Sequence, residues 1–92
     1  MNKYNVKYTN RFSKDLKLIK KRGYNVKLLE KIVEILISRE KLPVKNKDCA
    51  LKDKYLGYRE CCIISDWLLV YKIIDEELIL LTTKTKTPSS LF

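Results

Sequence analysis

Histidine is missing from this 92-residue chain. Its absence removes His-ligated zinc sites, Ser-His-Asp triads and Cys-His dyads together. Acid–base chemistry must fall to Lys, Arg, Tyr, Cys, Asp or Glu. Glycine and proline are scarce, two of each, which excludes a low-complexity or collagenous chain. No apolar run approaches about 18 residues, so no transmembrane span is expected. The opening residues Met1-Asn2-Lys3-Tyr4-Asn5 lack the apolar stretch of a signal peptide. Together these absences predict a cytoplasmic protein with no membrane partner. The three cysteines are an odd number, and Cys61 and Cys62 are adjacent, which is poor geometry for a bridge. A disulfide framework is therefore not expected.

Positive charge is what the chain has in excess. Twenty Lys and Arg against 11 Asp and Glu leave a net +9, more than solubility alone requires. Residues 1–60 carry 17 basic and 7 acidic side chains, whereas residues 61–92 carry 3 and 4. Such a field favours an anionic partner: nucleic acid, an acidic protein or anionic lipid. The length fits one domain spanning residues 1–92, and the 46% hydrophobic content fits one modest core.

Hydropathy periods give the order of elements. Tyr4, Val6 and Tyr8 alternate as in a half-buried strand. Thr9 or Asn10 can cap a helix, along which Phe12, Leu16 and Ile19 form a stripe among lysines. Gly23 is a natural stop. Asn25 can cap a second helix to about Ser38, with Leu29, Ile32, Val33 and Leu36 inward and Leu28 and Ile35 widening the stripe. Pro43 closes the helical half. Residues 40–57 read as a Lys-rich loop anchored by Ala50 and Leu51. Three strands follow, Tyr58 to Ile64, Trp67 to Ile74 and Glu77 to Thr83, separated by Ser65-Asp66 and Asp75-Glu76 turns. The expectation is an α+β fold of order β-α-α-β-β-β. Its curled antiparallel sheet carries a helical hairpin on one face and a concave surface, met by the charged loop and tail, on the other.

Three stretches then resemble a known family: Lys47-Asp48-Cys49-Ala50-Leu51-Lys52, Gly57-Tyr58-Arg59-Glu60-Cys61-Cys62-Ile63-Ile64-Ser65-Asp66-Trp67-Leu68-Leu69-Val70-Tyr71, and the terminal Leu91-Phe92. With the order and size, they are similar to the YafQ branch of the RelE/ParE toxin superfamily over nearly the whole chain. The resemblance implies a RelE-like fold and a type II toxin that cuts mRNA in the ribosomal A site. It implies a cognate antitoxin, expected to be acidic, with ribosome and mRNA as the other partners. No cofactor and no metal is expected. Arg59, Asp66, Trp67 and Phe92 match the family's positions. Cys49 and Cys62 stand where the family commonly has His. A third family His precedes the terminal Leu-Phe; it falls at Lys86 counted from Trp67, and near Pro88 counted back from Phe92. Thr82-Thr83-Lys84 replaces the family's Arg-x-Gly.

Cleavage by the RNA's own 2′-hydroxyl needs help in removing a proton, charge to stabilise the phosphorane, and a shield or proton for the leaving 5′-oxygen. Related superfamily members use Lys, Arg and Tyr for this. Arg59 can grip phosphate with its fork. Lys52, Lys54, Lys84 and Lys86 can supply charge. Cys49 and Cys62 can titrate near neutrality if lysines depress a thiol pKa. Strand alternation sends Cys61 to the opposite face from Cys62, so one of the two is core. Trp67 is a core residue or a base-stacking platform. Asp66 is a turn residue or a catalytic one, and Phe92 shapes the site or pins the tail. The catalytic set is therefore Arg59, Lys86, Cys62, Cys49, Asp66 and Phe92, with Lys52, Lys54, Lys84 and Trp67 on RNA. The alternatives are the same scaffold with activity lost, or redirected to a protein as in the ParE branch, and a basic RNA-binding module.

Overall fold

Thr9 joins the first strand to the first helix. In the computed structural model, which describes residues 3–64 and 66–85, strand β1 covers Asn5–Tyr8 and helix α1 Asn10–Lys21. The Thr9 side-chain oxygen accepts from the Phe12 N–H at 3.0 Å, the N-cap bond. The same hydroxyl donates to the Leu81 carbonyl at 2.7 Å, with the Leu80 carbonyl at 3.1 Å. It thus fixes the start of α1 against the last strand.

Gly23, at φ +86°, ends α1 in a Schellman turn: Gly23 N–H donates to Lys20 O and Tyr24 N–H to Ile19 O. Asn25 caps helix α2, Val26–Ile37, accepting from the Lys27 N–H at 3.0 Å. Helix α2 ends in the same motif with Arg39 in the left-handed position, at φ +64°. That residue's guanidinium lies 4.1 Å above the Tyr4 ring and also pairs with Glu76. The predicted stripes are inward: Phe12, Ile19, Leu29, Ile32 and Leu36 are buried, with Leu16, Leu28 and Val33 packed beside them.

Strands β2 (Cys49–Ala50), β3 (Arg59–Ile64), β4 (Trp67–Ile74) and β5 (Glu77–Thr85) complete a five-stranded sheet of order β1-β5-β4-β3-β2. Strands β2 to β5 run antiparallel, as the sequence predicts for β3 to β5. Strand β1 joins parallel to β5, from Asn5 opposite Glu77 to Tyr8 opposite Leu80, which makes the sheet mixed. The chain reaches this edge through the helical connection, so a hairpin's reversal does not apply. Beyond Tyr8, α1 takes over the exposed edge of β5: Thr82 donates to Asp15, and Arg22 reaches the Thr85 hydroxyl at 3.5 Å. A register shift between Val70 and Tyr71 leaves Leu81 as the extra residue of β5.

The segment expected to be a plain loop is more ordered than its composition implied. It holds two 3₁₀ turns, Val44–Asn46 and Asp53–Tyr55, besides β2. Its anchor differs from the expected pair, because Ala50 is exposed and Leu51 only half-buried. Asn46 is buried in their stead and donates from Nδ2 to the Cys62 carbonyl at 2.7 Å, docking the loop on β3. A polar side chain with a backbone partner does here what an apolar anchor was expected to do.

Trp67 is the largest side chain fully enclosed by the core. Its Nε1 donates to the Thr83 hydroxyl at 2.7 Å, and Tyr24 meets its ring edge-on at 5.3 Å. The expectation that Trp67 stacks a base is therefore corrected: at 0% exposure it has no open face. Trp67→Ala is expected to cost about 3–5 kcal/mol of stability, measured by urea unfolding. Leu56→Ala, at a side chain 76% exposed, should stay within about 0.5 kcal/mol of the parent.

Candidate functional site

Strand alternation sorts the candidate residues onto two faces. Arg59, Cys61 and Ile63 of β3 lie on the face that carries Leu69, Tyr71 and the helices. Glu60 and Cys62 lie on the other. Directly opposite residues share a face, which makes two adjacent rows across the sheet. One runs Cys49, Glu60, Val70, Thr82; the next runs Cys62, Leu68, Lys84.

A cavity of about 440 Å³ opens on this second face. Glu60, Val70 and Thr82 floor it, with Leu81 and Lys84 from β5. Leu51, Lys54 and Tyr55 wall it from the loop, and Arg11 closes it from α1. Three cations and one carboxylate thus line the same cavity. The Lys54 ammonium sits 5.6 Å from the Tyr55 ring, and Tyr55 is partly exposed. The concave, loop-bordered face predicted from sequence is present, and it is cationic.

Of the ten expected site residues, four gather here. Lys54 and Lys84 line the cavity, and Cys49 and Cys62 stand in its rows. Lys52 is exposed just ahead of the second 3₁₀ turn. Asp66 sits half-buried at the β3–β4 turn, accepting from the Tyr24 hydroxyl at 3.4 Å, and does not line the cavity. Trp67 is in the core. Lys86 and Phe92 lie outside the described residues. Arg11, Tyr55 and Glu60 were not anticipated. Glu60 was within reach of the alternation rule, two residues from Cys62. Arg11 had no sequence signal, because only the docking of α1 along β5 brings it to the sheet.

Arg59 departs most from expectation. Its fork is engaged by Asp48, with Nε to Oδ1 at 3.2 Å and Nη2 to Oδ2 at 3.3 Å. The Tyr71 hydroxyl donates to the same carboxylate at 2.7 Å. This bonding to Asp48 holds the Arg59 guanidinium pKa above its ordinary value. Burial, then the Asp48 hydrogen bond, pushes the Tyr71 phenol up as well. The expected phosphate grip is thereby replaced by a clamp. Asp48 immediately precedes Cys49, and β2 has only two residues, so the clamp holds the edge strand in register.

Comparisons with known proteins identify the family. A family model described as bacterial toxin of type II toxin-antitoxin system, YafQ, matches residues 4–92. The chain belongs to the YafQ family. It is therefore a type II toxin built on a RelE-like α+β fold. The mRNA interferase toxin YafQ of Escherichia coli strain B is 35% identical over 88 residues, covering 95% of this chain and 94% of that protein. The crystal structure of YafQ from E. coli strain BL21(DE3) superposes with a TM-score of 0.85 at 34% identity, covering 90% of this chain and 93% of that one. The YafQ chain of the E. coli DinJ–YafQ complex gives 0.83 at 35% identity, over 89% and 92%.

Two outcomes follow. Asp48→Ala should lower stability by about 1.5–3 kcal/mol, the loss of charged hydrogen bonds to Tyr71 and Arg59, and Asp48→Asn by less, both read by urea unfolding. Burial also pushes the Cys61 thiol from 9.0 to about 12. The unfolded thiol ionises first, so its contribution to stability is complete below pH 9 and is lost as pH rises towards about 12. Cys61→Ala should flatten that alkaline decline in the urea midpoint; an equal slope in both proteins would contradict the assignment.

Proposed function

We propose that this toxin is an endoribonuclease that cleaves mRNA on the translating ribosome, using the cationic face of the sheet opposite the helices. The observation that carries the reading is the cavity that Arg11, Lys54 and Lys84 line with Glu60, beside the cysteines in the family's histidine positions. The E. coli relative named as an mRNA interferase supports the same activity.

The reading assigns a part to each group. The 2′-oxygen of the RNA attacks its neighbouring phosphorus and the 5′-oxygen leaves. Glu60 is the carboxylate that lines the cavity and takes the 2′ proton, a step usually worth about 10²–10⁴ in rate. Arg11 and Lys84 neutralise the charge that grows on the phosphorane. Lys54 serves the leaving oxygen, and Tyr55 offers a ring for a base. Cys49 and Cys62 border this centre, at the two positions that the sequence resemblance matches to family histidines. Lys86 and Phe92 remain candidates from the tail, and Asp66 a neighbour of the site.

The second partner is an antitoxin. An E. coli YafQ is found in complex with DinJ, and a chain of net +9 suits an acidic segment that covers the cationic cavity. This antitoxin, the ribosome and mRNA, with a cytoplasmic site of action, complete the proposal. One observation favours the redirected, ParE-like reading: Arg59, the family-matched cation, is turned to Asp48 on the helix face.

Induced expression with and without the antitoxin, followed by primer extension on translated mRNA, separates the readings. Growth arrest with discrete cleavage sites is expected; arrest without cleavage would favour a protein target. Lys84→Ala should reduce cleavage about tenfold to a hundredfold, and Glu60→Gln by about a hundredfold or more, with urea midpoints near the parent's. Ribosome binding should weaken steeply as salt rises, because phosphate contacts release counterions.

A further inference from the structure

Three thiols lie within 14 residues, and the fold separates them. Cys61 is enclosed on the helix face, where its thiol is held protonated by burial. Cys49 is exposed and Cys62 half-buried, both on the cavity face. Cys49 stands opposite Glu60, and Cys62 is two residues further along the same strand. The two are therefore diagonal neighbours on one face of an antiparallel pair. Diagonal neighbours have Cα atoms about 7–8 Å apart, and a disulfide spans at most about 6.8 Å. Closing the bond asks the edge strand to move by about 1 Å.

That strand is short and lies at the edge of the sheet. It has two residues, pairs with β3 among the described residues, and Ala50 beside Cys49 is exposed. Left-handed residues flank it, Lys47 at φ +48° before and Asp53 at φ +58° after. Lys47 and Lys52 lie close to Cys49 in the chain, and Lys84 ends the row that starts at Cys62. The thiolate is the form that reacts with peroxide.

We infer that Cys49 and Cys62 form a dithiol that a hydroperoxide closes to a disulfide across the edge of the cavity. One thiolate attacks the peroxide; an S–O bond forms and the O–O bond breaks, leaving a sulfenic acid and one water. The second thiol then displaces that oxygen as a second water, and the S–S bond forms. Two thiols are oxidised by two electrons, and one hydrogen peroxide is reduced to two waters. A small thiol reverses the bond by exchange. The bridge lies beside Glu60 and draws β2 onto β3. It therefore narrows the cavity and switches off RNA cleavage, a consequence that rests on the function proposed above.

The experiment uses the full chain, purified reduced and treated in native buffer with hydrogen peroxide at equal concentration. The expected result is a monomer lighter by two hydrogens, with the tryptic peptide 48–52 joined to 60–72. The bond persists in Cys61→Ala and is lost in Cys62→Ser and in Cys49→Ser. Sulfinic products without a bridge, dimers joined through Cys49, or a bond that persists in Cys62→Ser would each overturn the inference. Cleavage is measured on the same samples. Bridging that abolishes cleavage, with recovery in dithiothreitol, supports both claims. Bridging in a chain that cleaves nothing when reduced upholds the dithiol and removes the nuclease reading.

Discussion

Alternate side chains of a strand face opposite ways, and β3, β4 and β5 follow that period on either side of the bulge at Leu81 and the shift after Cys62. On one face it delivers Cys61, Trp67, Leu69 and Tyr71 to the helices, and on the other Glu60, Val70 and Lys84 to the cavity, with Cys62 in the row beside it. A slip of one residue would exchange the two sets, burying a carboxylate and an ammonium while exposing the core. Register is therefore held at several points. Trp67 bonds Thr83, Thr83 bonds the Leu68 carbonyl, and Asn46 bonds the Cys62 carbonyl. The same constraint explains how neighbours in sequence, Arg59 and Glu60 or Cys61 and Cys62, come to hold unlike positions.

The loop between α2 and β3 is where rigidity and freedom meet. Asp48 gathers Arg59 and Tyr71 on the helix face, and Asn46 docks behind β3. Between these anchors and β3, the two-residue β2 presents Cys49 on the other face, and beyond it the chain carries Lys54 and Tyr55 to the cavity wall. Fixed points on one side of the sheet thus position side chains on the other. Helix α1 does the equivalent at the far edge: hydrogen bonds from Thr9, Thr82 and Arg22 lay it along β5 and bring Arg11 over the cavity.

Much of this was legible in the sequence. Periods of 3.6 and 2 gave both helices and the three long strands, and Thr9, Gly23 and Asn25 marked the helix ends through their own chemistry. Arg39, the left-handed residue closing α2, gave no such sign, since its position is held by Tyr4 and Glu76 from elsewhere in the fold. The parallel docking of β1 was hidden because pairing direction depends on the path through the helices. At the site, alternation could separate Cys61 from Cys62 and place Glu60. The Asp48 bond to Arg59 spans 11 residues and depends on the left-handed bend at Lys47, so a family-matched arginine looked like a phosphate ligand until the clamp was seen.

The central claim is that the cationic face opposite the helices meets RNA. Lysine acetylation footprinting of the toxin, unbound and on mRNA-programmed ribosomes, tests it most directly. Lys54 and Lys84 should lose reactivity on the ribosome, while Lys20 and Lys27, exposed on the two helices of the hairpin, should keep theirs. Protection of Lys20 and Lys27 with Lys54 and Lys84 still reactive would contradict the account and place the RNA on the helical side.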